Sequence, residues 1–137
     1  MSDKKLTIYT DGGARGNPGP AGIGCVIFNE KGEIVEEISA YIGETTNNQA
    51  EYQALIAGLA KAKELGALEI EFFLDSELVV KQLNREYRVK DKDLALLFVK
   101  AYNLTLGFKR VIFKHIRREK NELADRLVNL ALDKAGK

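Results

Sequence analysis

The chain has 137 residues, of which 45% are hydrophobic and 30% charged, so it can bury a core without disulfides, and we expect one domain covering residues 1–137. Its single cysteine excludes an internal disulfide, and the chain shows neither a signal peptide nor an apolar run of membrane-spanning length. These features predict a cytoplasmic protein that does not bind membranes. Because no apolar surface stripe is evident, we expect a monomer.

The net charge of +1 does not by itself indicate nucleic acid, but the charges are unevenly distributed. Residues 27–80 carry eleven acidic and three basic residues, whereas residues 81–120 carry twelve basic and four acidic residues. Such asymmetry is typical of a surface that faces a polyanion, although a solvated helix face explains it as well, and charge alone favours the latter.

The first part of the chain predicts three antiparallel strands. An apolar run covers residues 6–11 and is followed by a segment rich in glycine and proline, residues 12–20, so the first strand should end at Asp11. Strands at residues 22–29 and 33–43, joined by the tight connection 30–32, complete an antiparallel meander.

The rest of the chain predicts helices alternating with two more strands. Alanine and leucine recur at helical spacing up to residue 65, where Gly66 ends the helix, and residues 68–75 read as a strand. A strand, helix and strand in this order imply a right-handed crossover and parallel pairing. Further helices are predicted at 76–85 and 94–106, a fifth strand at 110–116, and a final helix at 121–135 with Leu123, Leu127, Leu130 and Ala131 inward. The order predicts an α/β fold with a mixed five-stranded sheet flanked by helices.

Four acidic residues are candidates for a metal site. Asp11 and Asp75 end predicted strands, and Glu51 and Asp125 lie in the first turns of predicted helices. Each has a simpler explanation: an Asx turn for Asp11, a helix cap for Asp75, a capping box with Asn48 for Glu51, and the helix dipole for Asp125.

These separate explanations do not account for the convergence of the four acids. Two of them end strands that are predicted to be adjacent and parallel, and two begin helices that pack on the sheet, so all four should meet at one edge. Mutual repulsion would prevent all four from being ionised at neutral pH unless divalent cations bridged them. We therefore expect Mg²⁺ or Mn²⁺ at this edge.

Two further segments and one histidine have open interpretations. The glycine-rich segment lacks the spacing of a Walker or dinucleotide motif, so its glycines serve either a tight turn or close approach of the backbone to a phosphate or sugar. The polar cluster 46–49 either caps a helix or binds phosphate at its N-terminus. His115 is the only histidine. A lone histidine beside apolar residues is more often packed in the fold than catalytic.

Four segments together resemble type I ribonuclease H in order and spacing, over about residues 5 to 133. They are YTDGGARGNPGPAGIG at 9–24, TTNNQAE at 45–51, LDS at 74–76 and NELAD at 121–125. The resemblance is to a compact form that lacks a basic protrusion. It implies a ribonuclease H-like fold with strand order 3-2-1-4-5, and an endonuclease that hydrolyses the RNA strand of RNA–DNA hybrids. Double-stranded RNA is a further candidate substrate.

The resemblance also implies roles for individual residues. Asp11, Glu51, Asp75 and Asp125 would hold two Mg²⁺ or Mn²⁺ ions for catalysis. Contacts to the hybrid would come from the glycine-rich loop and the following helix N-terminus, at Gly12, Gly13, Arg15, Gly16, Asn17, Thr46, Asn47, Asn48 and Gln49. Two alternatives stay open: a noncatalytic module that binds hybrids, and another nuclease of the same superfold.

The chain departs from the family pattern in two places. The segment 82–93 is too short for the extra helix and basic protrusion of many bacterial members, so we expect weaker hybrid affinity with a marked salt dependence. This affinity would depend on Lys81, Arg85, Arg88, Lys90 and Lys92. The loop before Asp125 is also short, where many relatives carry a mobile histidine that helps product leave. His115 and Arg118 are the two candidates for that role, and Arg118 is preferred.

Overall fold

The computed structural model describes residues 5–137, in which five strands form one sheet with four α-helices around it. The sheet order is β3-β2-β1-β4-β5, with β1 antiparallel to β2 and parallel to β4. This confirms the predicted fold and strand order. The elements are β1 Lys5–Ala14, β2 Gly19–Phe28, β3 Ile34–Thr45, α1 Asn47–Glu64, β4 Glu69–Leu74, α2 Glu77–Leu83, α3 Lys92–Thr105, β5 Arg110–His115, a 3₁₀ turn Arg118–Lys120, and α4 Glu122–Lys134.

Strand β1 is longer than the sequence predicted. It continues three residues past Asp11, because Gly12 pairs with Ile23, Gly13 with Gly22 and Ala14 with Ala21 of β2. The prediction that the first strand ends at Asp11 was therefore wrong. Gly12 and Gly13, which the sequence predicted to lie in a turn, are hydrogen-bonded strand residues instead, and residues 15–18 connect β1 to β2.

The main core lies between the sheet and α1. Alternate residues of β1 and β4, such as Ile8 and Phe72, are fully buried against Leu55 and Leu59 of α1. This is the packing expected of an amphipathic helix that crosses between two parallel strands. The crossover places the N-terminus of α1 beside the end of β1 that carries Asp11.

Helix α4 packs on the sheet partly through smaller side chains than predicted. Of the residues expected to be inward, Ala131 is buried and Leu127 is half-buried, but Leu123 and Leu130 are each 41% exposed. Ala124, Val128 and Leu132 are buried as well. The face was assigned about one residue out of phase, because leucines were weighted above alanines. Small residues face the sheet here because the backbone of α4 lies close to β2.

Helix α3 leaves an apolar stripe exposed. Leu96, Val99 and Leu106 are 72%, 53% and 66% exposed, so the expectation that no such stripe exists was wrong. The monomeric state stays a prediction. None of the helices within residues 5–137 is both long and apolar enough to cross a membrane.

Candidate active site

Glu51 reaches the end of the sheet because Gly12 lets α1 approach β1. A Cβ atom on Gly12 would lie 2.2 Å from the Ala50 carbonyl oxygen, which no side chain tolerates. Glu51, 5% exposed, accepts a hydrogen bond on Oε1 from the Gly12 N–H at 2.6 Å. The capping box with Asn48 is therefore not formed, and Thr46 caps α1 by accepting from the Gln49 N–H.

Asp125 is brought to the same place by a second glycine. Gly24 of β2 pairs with Asp11, and a Cβ atom on Gly24 would lie 2.3 Å from the Ala124 carbonyl oxygen of α4. The first turn of α4 therefore lies directly over β2, and the charge of the next residue, Asp125, contributes to the raised pKa of Asp11. Asn129 donates to the Asp125 carbonyl oxygen at 3.1 Å, one turn further along α4.

Asp75 follows β4, whose last residue, Leu74, pairs with Thr10 of the parallel strand β1. The Ser76 hydroxyl caps α2 by accepting from the Val79 N–H, so Asp75 is not used as that cap. Instead, Asp75 Oδ2 accepts from Asn121 Nδ2 at 2.8 Å. The acid that ends one strand thus lies beside the acid carried by its neighbour, as the predicted parallel pairing requires.

Three of the four acids form a compact set of oxygen ligands. One carboxylate oxygen from each of Asp11, Glu51 and Asp75 lies within 4.8 Å of the others. Glu51 Oε2 is buried and has no hydrogen-bond partner among residues 5–137, so it is free to bind a cation. Asp125 lines the same cleft. Carboxylate oxygens in this number suit a hard divalent cation such as Mg²⁺ or Mn²⁺, so the residues fit the predicted metal.

Burial and like charge raise the pKa of two of these acids, Asp11 and Glu51. The pKa of Asp11 rises from 3.8 to about 7, mainly through burial and then through the charges of Asp75 and Asp125. The pKa of Glu51 is also well above its usual range, first through burial and then through Asp11. A bound cation would favour the charged forms of both groups, because it supplies the missing opposite charge.

Comparison with known proteins places this geometry in a family. The model of the "Reverse transcriptase-like" family matches residues 9–131. The ribonuclease H of Pseudomonas entomophila is 34% identical over 97% of this chain and 96% of its own length. The chain belongs to the ribonuclease H family.

Two further relatives of this ribonuclease H are informative. A bifunctional protein of Mycobacterium tuberculosis is 46% identical over 96% of the chain, which spans 36% of the length of that relative. The crystal structure of LC11-RNase H1, isolated from compost, in complex with an RNA/DNA hybrid superposes with a TM-score of 0.92 at 51% identity, covering 96% of this chain and 99% of the other.

The ribonuclease H cleft, about 450 Å³ in volume, includes five of the nine predicted hybrid contacts: Gly12, Gly13, Arg15, Asn47 and Asn48. Within residues 5–137, its lining does not include Gly16, Asn17, Thr46 or Gln49. Asn17 instead supports the cleft, because its Oδ1 accepts from the Asn47 N–H at 3.0 Å, while Asn47 Oδ1 accepts from the Ala14 N–H at 2.8 Å. Gln49 is hydrogen-bonded to Thr45.

The two residues predicted to assist product release lie in different places. Arg118, in the 3₁₀ turn before α4, lines the cleft, whereas His115 is the exposed last residue of β5 and is not among the lining residues. Arg118 is thus the nearer of the two to the acids, and its role in product release stays a prediction. Arg15 is already engaged, with an ion pair to Asp133 at 2.9 Å and a hydrogen bond to Asn129 at 3.1 Å.

Two asparagines at the site were missed in the sequence. Asn121 contacts Asp75, and Asn129 contacts Asp125. Asn121 lies just before a helix, where asparagine is an ordinary cap, so nothing local marks it. Asn129 lies four residues after Asp125, a spacing that puts the two on one face of a helix, and this signal was available.

Proposed function

We propose that this ribonuclease H is an endonuclease that hydrolyses the RNA strand of RNA–DNA hybrids with two divalent cations, Mg²⁺ or Mn²⁺. The observation that carries the proposal is the set of buried carboxylates around Glu51, whose second oxygen has no partner among residues 5–137. The hybrid-bound structure of LC11-RNase H1, at 51% identity, supports the choice of substrate.

In this proposal Asp11, Glu51, Asp75 and Asp125 hold the cations. When bound, such cations would supply the positive charge needed to activate a water for in-line attack at phosphorus and to stabilise the leaving 3′ oxygen. The Gly12 N–H fixes the Glu51 carboxylate through one oxygen, and the other oxygen has no partner among residues 5–137 and is left for a cation. Arg118 supplies a positive charge near the phosphate that departs, in place of the histidine of many relatives.

Recognition of RNA would come from the polar rim of the cleft. Asn47 and Asn48 line it at the N-terminus of α1, next to the backbone of Gly12 and Gly13. Side-chain amides and backbone N–H groups at such a site contact phosphates and 2′-hydroxyls without reading bases. We therefore expect cleavage to require several ribonucleotides and to tolerate any sequence.

Affinity for the hybrid would depend on the basic residues between the end of α2 and the start of α3, including Lys81 within α2 and Lys92 at the start of α3. Arg85 stacks on the ring of Tyr102, 4.7 Å from its centroid, and Lys81 lies 4.9 Å from the centroid of Tyr87. These two side chains and those of Arg88, Lys90 and Lys92 would form a positive surface. This surface would be smaller than the basic protrusion of many bacterial members and would take its place. Fewer phosphate contacts give weaker binding that is still dependent on salt.

A noncatalytic hybrid-binding module explains the site less well. Clustered carboxylates without cations repel a phosphate backbone, so a module that only binds hybrids would lose affinity by keeping them.

The proposal is tested with end-labelled substrates of one sequence: RNA–DNA hybrid, double-stranded RNA and double-stranded DNA, each with Mg²⁺ or Mn²⁺. We expect internal cuts in the RNA strand of the hybrid, with products that carry a 3′ hydroxyl. Cutting of double-stranded RNA would extend the substrate range. Binding without any cut would favour the noncatalytic module, and cutting of DNA or removal of single end nucleotides would favour another nuclease of the superfold.

A further inference from the structure

Asn121 is a buried amide that joins the two strand ends carrying the acids. It is 1% exposed, and its Nδ2 donates to the Thr10 carbonyl oxygen at 2.9 Å and to Asp75 Oδ2 at 2.8 Å. These two bonds use both N–H groups of the amide. Thr10 directly precedes Asp11, so one side chain from the start of α4 connects the neighbourhood of Asp11 in β1 to the Asp75 carboxylate.

The orientation of this amide is determined by its partners. A flipped amide would place Oδ1 against two acceptors, the Thr10 carbonyl and the Asp75 carboxylate, and would lose both bonds. In the observed orientation, Asn121 Oδ1 is buried without a hydrogen-bond partner among residues 5–137. A buried acceptor without a partner destabilises a fold, so helix stability does not explain this placement.

Asn121 also does not act as an ordinary helix cap. It is the residue before α4, yet its side chain makes no capping hydrogen bond to the helix. An asparagine at this position normally accepts from a backbone N–H of the first turn and stabilises the helix. In this protein the Asn121 side chain makes no such capping bond, and its two N–H donors are directed towards Asp75 and the end of β1.

Asp75 needs such a donor because its neighbours are acids. One of its oxygens lies within 4.8 Å of oxygens of Asp11 and Glu51, and when those groups lose their protons to receive a cation, like charge would rotate the Asp75 side chain away from them. A charge-assisted hydrogen bond to one carboxylate oxygen opposes that rotation and keeps the carboxylate in place before any cation arrives.

We propose that Asn121 is a positioning residue that pre-forms the metal site by holding the Asp75 carboxylate beside Asp11 and Glu51. This inference rests on the proposed function, because it takes the acidic cluster to be a cation site. It adds a residue outside the four acids to the site and predicts that the amide acts through Asp75 alone.

The first test measures Mn²⁺ binding by titration calorimetry on the protein without nucleic acid. The variants are Asn121→Ala and Asn121→Leu, the second of which keeps the volume of the side chain without its donors. The matched control is Asn84→Ala, since Asn84 Nδ2 likewise donates to a strand carbonyl, that of Phe113, at 3.2 Å. We expect the Mn²⁺ dissociation constant to rise about tenfold or more in the Asn121 variants and to stay unchanged in the control.

The second test asks whether the effect passes through Asp75. In the Asp75→Asn background, Asn121→Ala should weaken Mn²⁺ binding no further, because the carboxylate that it positions is gone. An equal loss in both backgrounds would mean a general structural role and would overturn the inference. Unchanged Mn²⁺ affinity in both Asn121 variants would also overturn the inference. Loss of the fold in both variants, judged by near-ultraviolet circular dichroism, would overturn it too, because Asn121 would then be a core residue that maintains the fold.

Failure of the proposed function would look different. It would be seen in the wild-type protein, as Mn²⁺ binding without cleavage of the hybrid. The Mn²⁺ dissociation constants of the wild type and the Asn121 variants could still be compared in that case. Failure of the inference would be confined to the Asn121 variants, with wild-type binding and cleavage intact.

Discussion

Replacing Asp11 by asparagine should stabilise the metal-free protein at neutral and higher pH. Asp11 is 8% exposed, and burial, then the charges of Asp75 and Asp125, raise its pKa from 3.8 to about 7. The folded state therefore holds the Asp11 proton more tightly than the unfolded chain does. Between these two values the free energy of unfolding falls as the pH rises, and the full penalty is present above about pH 7.

The size of the penalty follows from the two pKa values. At about 1.4 kcal/mol per pKa unit, the difference between 3.8 and about 7 corresponds to at most about 4 kcal/mol. Burial, the main cause of the raised pKa of Glu51, remains in the variant, so we expect Asp11→Asn to gain about half of this, about 2 kcal/mol. The gain should vanish below the unfolded pKa, where Asp11 is neutral in both states.

The assay is urea unfolding followed by circular dichroism, with a chelator present, at about pH 4, 6 and 8. Asp93→Asn is the control, because Asp93 is an exposed acid in the first turn of α3 and should show no gain. Adding Mg²⁺ should stabilise the wild type and not Asp11→Asn. A variant that is less stable than the wild type at pH 8, or equally stabilised at pH 4, would refute the reasoning.

Three further predictions concern packing, affinity and turnover. Gly24→Ala should lower the free energy of unfolding by about 2 kcal/mol or more, measured in urea, because its Cβ atom would lie 2.3 Å from the Ala124 carbonyl oxygen. Gly107→Ala is the comparison, because a Cβ atom there would meet nothing closer than the Leu104 carbonyl oxygen at 3.5 Å; an equal loss in that variant would contradict the packing argument. Changing the five basic residues between 81 and 92 to glutamine should weaken hybrid binding and reduce its salt slope by about one unit for each phosphate that is no longer neutralised; unchanged affinity would exclude this surface. Arg118→Ala should lower kcat more than it changes KM, whereas His115→Ala should leave kcat normal, because Arg118 lines the cleft and His115 does not. The opposite pattern in steady-state kinetics would assign product release to His115.

The fold and the meeting of the acids follow from patterns that are local in sequence. Asp11 and Asp75 each come at the end of an apolar run. Helix α1 joins β3 to β4, and a right-handed crossover of this kind makes β4 parallel to β3 and therefore to β1, with which β4 pairs. Glu51 lies on the same helical face as Leu55 and Leu59, which are buried against the sheet. Each of these signals lies within a few residues of the acid concerned, so the shared edge could be predicted.

What was missed depends on contacts between distant segments. Gly12 and Gly13 read as turn residues, but their pairing with β2 keeps them in the strand. The buried face of α4 is shifted from its leucines to Ala124 and its neighbours, because Gly24 allows close approach of the backbones. The side chain of Asn121 turns away from its own helix to a carbonyl 111 residues earlier, and no local pattern contains that information.

The most direct measurement compares cleavage of a strand-labelled RNA–DNA hybrid by the wild type, Asp75→Asn and the exposed control Asp93→Asn, with Mg²⁺ or Mn²⁺ present. We expect the wild type and the control to cut the RNA strand alone, only when a cation is present, and Asp75→Asn to cut neither strand. Absence of cleavage by the wild type with either cation, or cleavage that is indifferent to Asp75, would contradict a two-cation nuclease built on the acidic cluster.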